Sequence, residues 1–509
     1  MEKLSDLQYL KLPKAGKFFY KLGRFFISIP GWLLNLLITI FQFIKKVVIG
    51  IGNYFADLVN TFRNGDYKTR LSYVFMGFGN IARGQIGRGI LFFALEVGFI
   101  LYMIFFGGHW LSQLGTLGIQ GPEKIYDPVL DIFITVYHDN SFKIILYSIL
   151  SIFFIIALLY TWNLNIKQNK IAQEIIASGK PLKSGKEDLH SVIDDQFHKT
   201  LLALPLAGIL IFTVMPIIFM ILVAFTNYSA AYDGYYNNLF HWVGLDNFNT
   251  MLSGGASGMG STFGEILAWT LIWAFFATFS NYFLGMFVAL IINKKGIKIK
   301  KVWRTILVLT IAIPQFISLL YVSKLFAVNG VINKWLMDFG WISEAIDFWG
   351  DVNAGWRAQI LVIVINIWIG IPYLMLIATG ILMNIPEDLY ESSKIDGANS
   401  IQQFGRITLP YMLFVTGPYL LTSFIGNMNN FNVIYLLSGG GPTFKGTTAE
   451  ASPGHTDLLI TWLFKITTGT DAKYYYASVI GIMVFLVVAL LSLIIYNVLP
   501  SNKNEEDFQ

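Results

Sequence analysis

Long apolar segments separated by polar or charged segments recur along the 509-residue chain. A helix needs about 20 apolar residues to cross a hydrocarbon core of about 30 Å, and eight segments approach or exceed that length. The pattern therefore predicts an all-α, polytopic membrane protein. The predicted spans are residues 90–107, 144–162, 201–225, 266–292, 306–326, 360–383, 411–437 and 476–499.

Spans five and six contain residues that interrupt helices: Pro314 in span five, and Gly370 and Pro372 in span six. Irregular backbone is tolerated at membrane depth where protein or a water-filled cavity surrounds it. We therefore expect a translocation pathway near these two helices.

Residues 14–62 have a different pattern. Polar residues recur every three, four or seven positions and form one face of a helix, opposite aromatic and aliphatic residues. They are Lys17, Lys21, Arg24, Ser28, Asn35, Gln42 and Lys46. This arrangement favours an amphipathic helix that lies in the membrane interface. A spanning helix over 25–44 is the alternative.

Composition agrees with membrane insertion. The chain is 55% hydrophobic and 13% charged, whereas soluble proteins carry about 25% charged residues. A soluble globular protein is therefore excluded. The absence of cysteine excludes disulfides, thiolate metal sites and cysteine nucleophiles.

The distribution of charge predicts orientation. No Lys or Arg occurs from Thr200 to Asn293, whereas six follow between Lys294 and Arg304. By the positive-inside rule, the loop between spans three and four is outside the cell and the basic segment is cytoplasmic. With eight spans, both termini are then cytoplasmic. No basic patch indicates nucleic-acid binding.

Glu96 lies within the first predicted span, where a carboxylate is costly. One interpretation is a structural glutamate that accepts a hydrogen bond near the helix end or from a neighbouring helix. A proton relay is the alternative, and it would need a partner that the sequence does not identify.

Residues 385–410, between spans six and seven, predict a cytoplasmic elbow of two short helices. Pro386 opens the first helix, and Glu387 and Asp388 occupy its favourable first turn. A turn follows at 396–398, and a second helix is predicted over 400–407, before Pro410. A purely structural loop is the alternative.

The elbow resembles the signature loop of binding-protein-dependent ABC importer permeases, E-A-A-x-x-D-G-A followed about nine residues later by I-x-L-P. The matching residues are Glu391, Ser392, Ser393, Asp396, Gly397 and Ala398, then Ile407 to Pro410. Two serines replace the alanines of the pattern. The resemblance implies a type I ABC importer transmembrane domain.

The same resemblance implies a coupling role for these six residues. Glu391 would pair with a basic residue of a separate ATPase subunit, and Gly397 would permit the turn between the arms. The chain itself has no ATP site. ATP and Mg²⁺ would be bound by two partner ATPase subunits, so this chain would be a non-catalytic transport subunit.

Two predicted spans carry polar residues at helical spacing. Span six has Asn366, Gly370 and Tyr373, and span seven has Ser423, Asn427 and Asn430. Spacings of three and four place each set on one face of a helix. Such faces could bind a sugar in a water-filled cavity, or could form hydrogen bonds between helices.

Segments 204–229, 242–248, 437–448 and 454–465 resemble carbohydrate permeases, the last two resembling the maltose and maltodextrin branch. The six polar positions match the residues that contact sugar in that branch. Gly426, Ile311 and Gln315 depart from it. Members from double-membraned bacteria insert a folded domain between spans three and four, and this chain has no room for one. The resemblance therefore implies an importer of a bacterial plasma membrane, in a Gram-positive bacterium.

The resemblance implies a permease for malto-oligosaccharides that works with a second, homologous permease, two ATPase subunits and an extracellular sugar-binding protein. The alternatives are a permease for another oligosaccharide, an ion-coupled secondary sugar transporter, and a membrane-bound carbohydrate enzyme. A secondary transporter would need functional intramembrane carboxylates, and Glu96 lies outside the core that carries the polar faces. An enzyme would need paired carboxylates or a metal site, and neither occurs at useful spacing.

These patterns predict four regions. Residues 1–88 form an interfacial region, 89–199 are accessory transmembrane helices with a cytoplasmic loop, 200–500 are the importer core, and 501–509 are a cytoplasmic tail.

Overall fold

The computed structural model describes residues 14–136, 138–182, 197–232, 239–253, 258–294, 296–447 and 449–498, with positions 187, 190 and 194. Side chains of residues 14–37, 40 and 495–498 are outside this description, as is the predicted tail 501–509. The described residues are mostly helical, which confirms the all-α class.

The chain divides into two compact units. The first comprises Met1–His109 and Leu150–Ala207, and the second comprises Trp110–Ile149 and Gly208–Gln509. The first five helices are α1 Lys14–Asn64, α2 Tyr67–Leu71, α3 Phe78–Ala82, α4 Ile86–Ser112 and α5 Ser141–Ala177.

A buried polar cluster organises the first unit. The Arg83 side chain is 1% exposed, and its guanidinium lies 2.6 Å from an Asp66 carboxylate oxygen and 2.7 Å from Asn169 Oδ1. Glu96 Oε2 accepts a hydrogen bond from the Met76 backbone N–H at 2.8 Å. This contact supports the structural interpretation of Glu96.

The predicted amphipathic segment is part of one 51-residue helix, α1. Near its C-terminal end the polar side contacts α5, where Lys170 Nζ lies 2.7 Å from Asp57. Apolar side chains on the other side are exposed, including Phe41 at 68% and Phe55 at 59%. Because the ion pair fixes the polar side against α5, the apolar side is left facing outward. Its location in the membrane interface stays a prediction.

The second unit contains the remaining elements. A short hairpin, which the sequence pattern did not predict, pairs strands β1 Glu123–Asp127 and β2 Ile132–Val136 with Glu123 opposite Val136. The helices are α6 Phe197–Val223, α7 Asp246–Leu252, α8 Met259–Asn293, α9 Lys300–Ala312, α10 Gln315–Leu325, α11 Val331–Asp338, α12 Gly355–Leu382, α13 Glu387–Ile395, α14 Ser400–Met428, α15 Phe431–Leu437, α16 Leu459–Thr468 and α17 Tyr474–Val498, with a 3₁₀ turn at Ala230–Tyr232.

Seven of the described helices are long and apolar enough to cross a membrane, or eight if the bent pair α9–α10 counts as one span. The interruption at Pro314 is confirmed, but it is larger than a kink. The two halves meet at 88°, so span five is a bent pair of helices rather than one straight helix. Proline lacks the N–H that would continue the helix ladder.

Span seven also differs from its prediction. The helix α14 ends at Met428 rather than at residue 437, Asn429 leaves the helical conformation, and a separate helix α15 begins at Phe431. Asn430 accepts a hydrogen bond from the Val433 backbone N–H at 3.3 Å and so caps α15. The break is stabilised because asparagine is a favourable N-cap residue.

Helix α8 is central to the packing of the second unit. Trp273 is fully buried with residues of α10, α12 and α15, and Ile266 packs with the fully buried Trp462 of α16. Nearer its C-terminal end, Met286 contacts buried residues of α12 and α14. This helix therefore contacts every element that carries a candidate functional residue of the second unit except α13.

Candidate substrate and coupling sites

The elbow forms as predicted in its first half. Helix α13 begins directly after Pro386 and ends at Ile395. Gly397 has a φ of +78°, a conformation that favours glycine. The Gly397 N–H donates to Lys394 O at 3.0 Å, and the Ala398 N–H donates to Ser393 O at 2.9 Å, so the turn closes the end of α13.

Side-chain hydrogen bonds hold the two arms together. Gln403 Nε2 donates to Ser393 Oγ at 2.8 Å and to Tyr390 O at 3.1 Å. The Tyr390 and Thr408 hydroxyls lie 2.8 Å apart. Ser393, which replaces an alanine of the family pattern, therefore supplies an additional contact between the arms.

The second arm does not end before Pro410 as predicted. It continues through a π-helical turn, Phe404–Thr408, into the apolar helix, so that α14 is continuous from Ser400 to Met428. The wider turn accommodates the proline, which cannot donate a backbone hydrogen bond. A single helix, which contains Pro418, therefore connects the elbow to Ser423 and Asn427 of span seven.

The elbow exposes a mixed acidic and apolar surface. Glu391, Ser392, Asp396 and Gly397 are exposed, while Ser393 and Ala398 are half-buried. Ile395 is 87% exposed and Ile401 is 82% exposed. Apolar side chains this exposed beside an acidic residue are typical of a surface that a partner covers.

A cavity of about 770 Å³ lies between the elbow and the end of α8. Apolar residues of α8, including Phe283, Phe287 and Leu290, form one wall. Glu391 and Lys394 of α13 line the other side. The sequence did not predict this cavity because its walls come from segments about 100 residues apart in the chain.

Asn427 and Asn430 are brought together although they belong to different helices. Asn427 Nδ2 donates to Thr278 Oγ1 at 3.0 Å, and Asn430 Nδ2 donates to Asn427 Oδ1 at 3.3 Å. Trp273 Nε1 donates to the Asn427 carbonyl at 3.1 Å. The prediction that Ser423, Asn427 and Asn430 share one helix face is wrong for Asn430, since α14 ends before it.

The α12 residues have three different environments. Asn366 is 6% exposed, and its Nδ2 has no hydrogen-bond partner among the described residues. Gly370 packs against Asn281 of α8, where a Cβ on Gly370 would lie 2.6 Å from Asn281 Nδ2. Tyr373 is 52% exposed.

Tyr419 lies near both predicted polar faces. It is one turn before Ser423 on α14 and close to Tyr373 of α12. Among the described residues the six predicted positions therefore do not form one continuous hydrogen-bonded surface, since Asn427 bonds to Asn430 while Asn366 Nδ2 has no partner. Their aromatic, hydroxyl and amide groups are all neutral.

Sequence reasoning missed Tyr419, Thr278 and Asn281. Tyr419 could have been found, because it lies four residues before Ser423 on the same face. Thr278 and Asn281 lie in or beside the π-helical turn Phe276–Ser280 of α8. Such turns often occur at functional sites, but the sequence gives no local signal for this one.

The described residues contain no group of three or more His, Asp or Glu side chains that could hold a metal ion.

Comparison with known proteins identifies the family. Residues 281–503 match the family described as "Binding-protein-dependent transport system inner membrane component". The maltodextrin transport system permease protein MalC of Streptococcus pneumoniae is 32% identical over 455 residues, which are 88% of this chain and 99% of MalC. The chain therefore belongs to the family of binding-protein-dependent transport system inner membrane components.

Two further relatives have different substrates in their names. The maltodextrin permease MdxF of Bacillus subtilis is 32% identical, over 86% of this chain and 97% of MdxF. The galactooligosaccharides transport system permease protein GanP of Bacillus subtilis is also 32% identical, over 84% of this chain and 96% of GanP. Identity alone therefore does not separate the two substrate classes.

Proposed function

We propose that this chain is the membrane-spanning permease subunit of an ATP-driven importer for malto-oligosaccharides. The observation that carries the proposal is the continuity of α14, which joins the elbow to Ser423 and Asn427. Similarity to the maltodextrin permeases supports the choice of sugar. A permease for another oligosaccharide is the second candidate, favoured by the equal similarity to GanP.

The proposed sugar site comprises Asn366, Gly370, Tyr373, Ser423, Asn427 and Asn430. Neutral hydroxyl and amide groups can donate and accept hydrogen bonds with sugar hydroxyls, and tyrosine rings can cover the C–H faces of a sugar ring. Asn427 and Asn430 already bond to protein groups. A sugar must exchange with those contacts, which suits a site that releases its substrate.

The proposed coupling site comprises Glu391, Ser392, Ser393, Asp396, Gly397 and Ala398. Two ATPase subunits, which bind ATP and Mg²⁺, would engage this chain and a second, homologous permease. The exposed Glu391 and Ile395 would contact one ATPase. An extracellular binding protein would deliver the sugar, and both termini of this chain would be cytoplasmic.

Transmission of movement follows from the fold. Ser400 and Ser423 are separated by 23 residues of α14, about 35 Å at 1.5 Å per residue. Hydrogen bonds from Gln403 and Tyr390 fix α13 to this helix. When ATP binding closes the ATPases, a displaced α13 would therefore carry α14 with it and change access to the sugar site.

The test uses the purified four-subunit importer with its binding protein in lipid vesicles. Maltotriose is expected to stimulate ATP hydrolysis more than a β-linked galactobiose. The Glu391→Lys variant should lose the ATPase during purification and lose stimulation. The matched control is Glu344→Lys, the same charge reversal at an exposed glutamate on the opposite side of the predicted membrane.

Two results would contradict the proposal. If galactobiose but not maltotriose stimulates ATP hydrolysis, the chain is a permease for another oligosaccharide rather than for malto-oligosaccharides. Normal ATPase association and stimulation in Glu391→Lys would remove the assigned coupling residue.

A further inference from the structure

Two adjoining cavities, of about 540 and 360 Å³, lie beside the first half of α8. Both are lined by Glu265 of α8 and by Phe444 and His455 of the segment between α15 and α16. The positive-inside pattern places this end of α8 outside the cell. The cavities therefore lie on the side from which a sugar would arrive, and they share no residue with the six proposed sugar positions.

The lining is held in place by tight contacts. The His455 and Phe444 rings meet edge to face, with centroids 4.6 Å apart. Gln359 Nε2 donates to His455 O at 2.8 Å. A Cβ on Gly355 would lie 2.2 Å from the His455 ring, so only glycine allows the ring to lie there.

The polar groups suit a neutral, hydroxylated ligand. Glu265 is exposed and can accept hydrogen bonds. Burial lowers the pKa of His455, and Glu265 opposes this shift. The imidazole is therefore neutral at pH 7, with one nitrogen that donates and one that accepts.

Trp269 provides an independent indication of a ligand. Trp269 lines the smaller cavity and is 7% exposed, and its Nε1–H has no hydrogen-bond partner among the described residues. A buried donor without an acceptor is unfavourable and rare in proteins. The unpaired Trp269 N–H therefore indicates that its acceptor comes from outside the described residues.

Helix α8 connects residues of the cavities to the proposed sugar site. Glu265, Trp269 and Trp273 follow one another at spacings of four residues, so they lie on the same side of α8. Trp273 Nε1 donates to the Asn427 carbonyl at 3.1 Å. The distance along the axis from Glu265 to Trp273 is about 12 Å.

We propose that these cavities form an outer carbohydrate-binding site, which a sugar occupies before it reaches Asn427. The inference rests on the proposed function of the chain as a sugar importer. Phe444 would cover a C–H face, Glu265 would accept from hydroxyls, and Trp269 would donate to a sugar oxygen. The Trp269 nitrogen is covered in this conformation, so binding requires its ring to turn towards the cavity.

A lobe of the binding protein is the competing occupant. The concave shape, the aromatic lining and the buried Trp269 donor favour a small ligand, because protein contacts would first reach exposed residues such as Lys445.

The absence of cysteine makes a direct test possible. Ser261→Cys places a thiol at an exposed position that lines the larger cavity, and Ser343→Cys is the matched control at an exposed position outside both cavities. Each variant is assembled into the complete importer in vesicles, and the rate of labelling by a polar maleimide is measured with maltotriose, galactobiose or mannitol, without ATP.

Maltotriose or galactobiose should slow labelling at Ser261→Cys but not at Ser343→Cys, and mannitol should slow neither. At a sugar concentration of about ten times Kd, about one site in ten stays open, so the rate should fall about tenfold. Slowing by the sugar-free binding protein alone would overturn the proposal in favour of a docking surface. No slowing by any sugar would also overturn it.

A second variant tests the Trp269 donor. In the Ser261→Cys background, Trp269→Phe should raise the sugar concentration for half-maximal protection about two- to tenfold, the value of one lost hydrogen bond. Trp356→Phe, at a tryptophan that is 59% exposed and lines neither cavity, should not change it. An unchanged concentration in Trp269→Phe, with normal assembly of the complex, would remove Trp269 from the site.

The two proposals can fail separately. Transport of sugar without protection at Ser261→Cys would leave the proposed function intact and reject the outer site. Protection without ATP-driven transport of any sugar would reject the proposed function and retain a carbohydrate site on the chain.

Discussion

The contact between Gly370 and Asn281 gives a quantitative prediction. In the Gly370→Ala variant the new Cβ would lie 2.6, 2.8 and 2.9 Å from three side-chain atoms of Asn281. Asn281 cannot move freely, because it is 7% exposed and its Nδ2 donates to Ala277 O at 2.9 Å. The substitution must therefore displace an anchored side chain at the centre of the proposed pathway.

The expected loss of stability follows from the contacts that Asn281 loses when it is displaced. Loss of the Asn281 hydrogen bond costs about 0.5–1.5 kcal/mol, and an off-rotamer side chain costs a similar amount. Gly370→Ala should therefore destabilise the protein by about 1–3 kcal/mol. Asn281→Ala removes the side chain that the new Cβ would contact. The double variant should therefore be more stable, by about 1–3 kcal/mol, than the added effects of the two single substitutions predict.

The assay is equilibrium unfolding of the purified protein in mixed micelles by a denaturing detergent, followed by tryptophan fluorescence. Gly380→Ala is the matched control on the same helix, because no atom lies within 4 Å of its added Cβ. It should be neutral or slightly stabilising. If Gly370→Ala is as stable as Gly380→Ala, or if Asn281→Ala gives no rescue, the packing argument is refuted.

Three further predictions concern other parts of the chain. Gly397→Ala should lower sugar-stimulated ATP hydrolysis, because a φ of +78° costs alanine about 1–2 kcal/mol. Gly405→Ala is the control and should leave the rate unchanged, because no atom lies within 4 Å of its added Cβ and its φ is not positive. An equal loss of ATP hydrolysis in both variants would contradict the prediction. Asn430→Ala should remove the cap of α15 and cost about 1 kcal/mol, measured as faster amide exchange in α15, and unchanged exchange would reject the capping role. If α1 lies in the membrane interface, Phe55→Cys should resist a polar maleimide while Asn53→Cys, on the opposite face, reacts; equal reactivity would reject that location.

The helices were predictable because their signals are local. The lengths of the apolar segments predicted the spans, and Pro314 predicted the interruption in span five. The 88° angle at that interruption could not be predicted, since it depends on the packing of α10 against α15 and α12. Gly397 predicted the turn of the elbow, because few other residues adopt a positive φ at low cost.

Other features depend on contacts between distant segments. The spacing of Ser423, Asn427 and Asn430 fits one helix face, but spacing cannot distinguish a continuing helix from an N-cap that begins a new one. The contact of Gly370 with Asn281 joins residues 89 positions apart, and no local pattern encodes it. The role of the six sugar positions stays a prediction.

The central claim is that this chain moves sugar only when a separate ATPase drives its elbow. The most direct measurement is uptake of radiolabelled maltotriose by vesicles that contain ATP, with binding protein outside. Vesicles with the complete importer should accumulate the sugar, and vesicles with this chain alone, or with the Glu391→Lys importer, should not. Sugar uptake by the chain alone, without any ATPase subunit, would contradict the account.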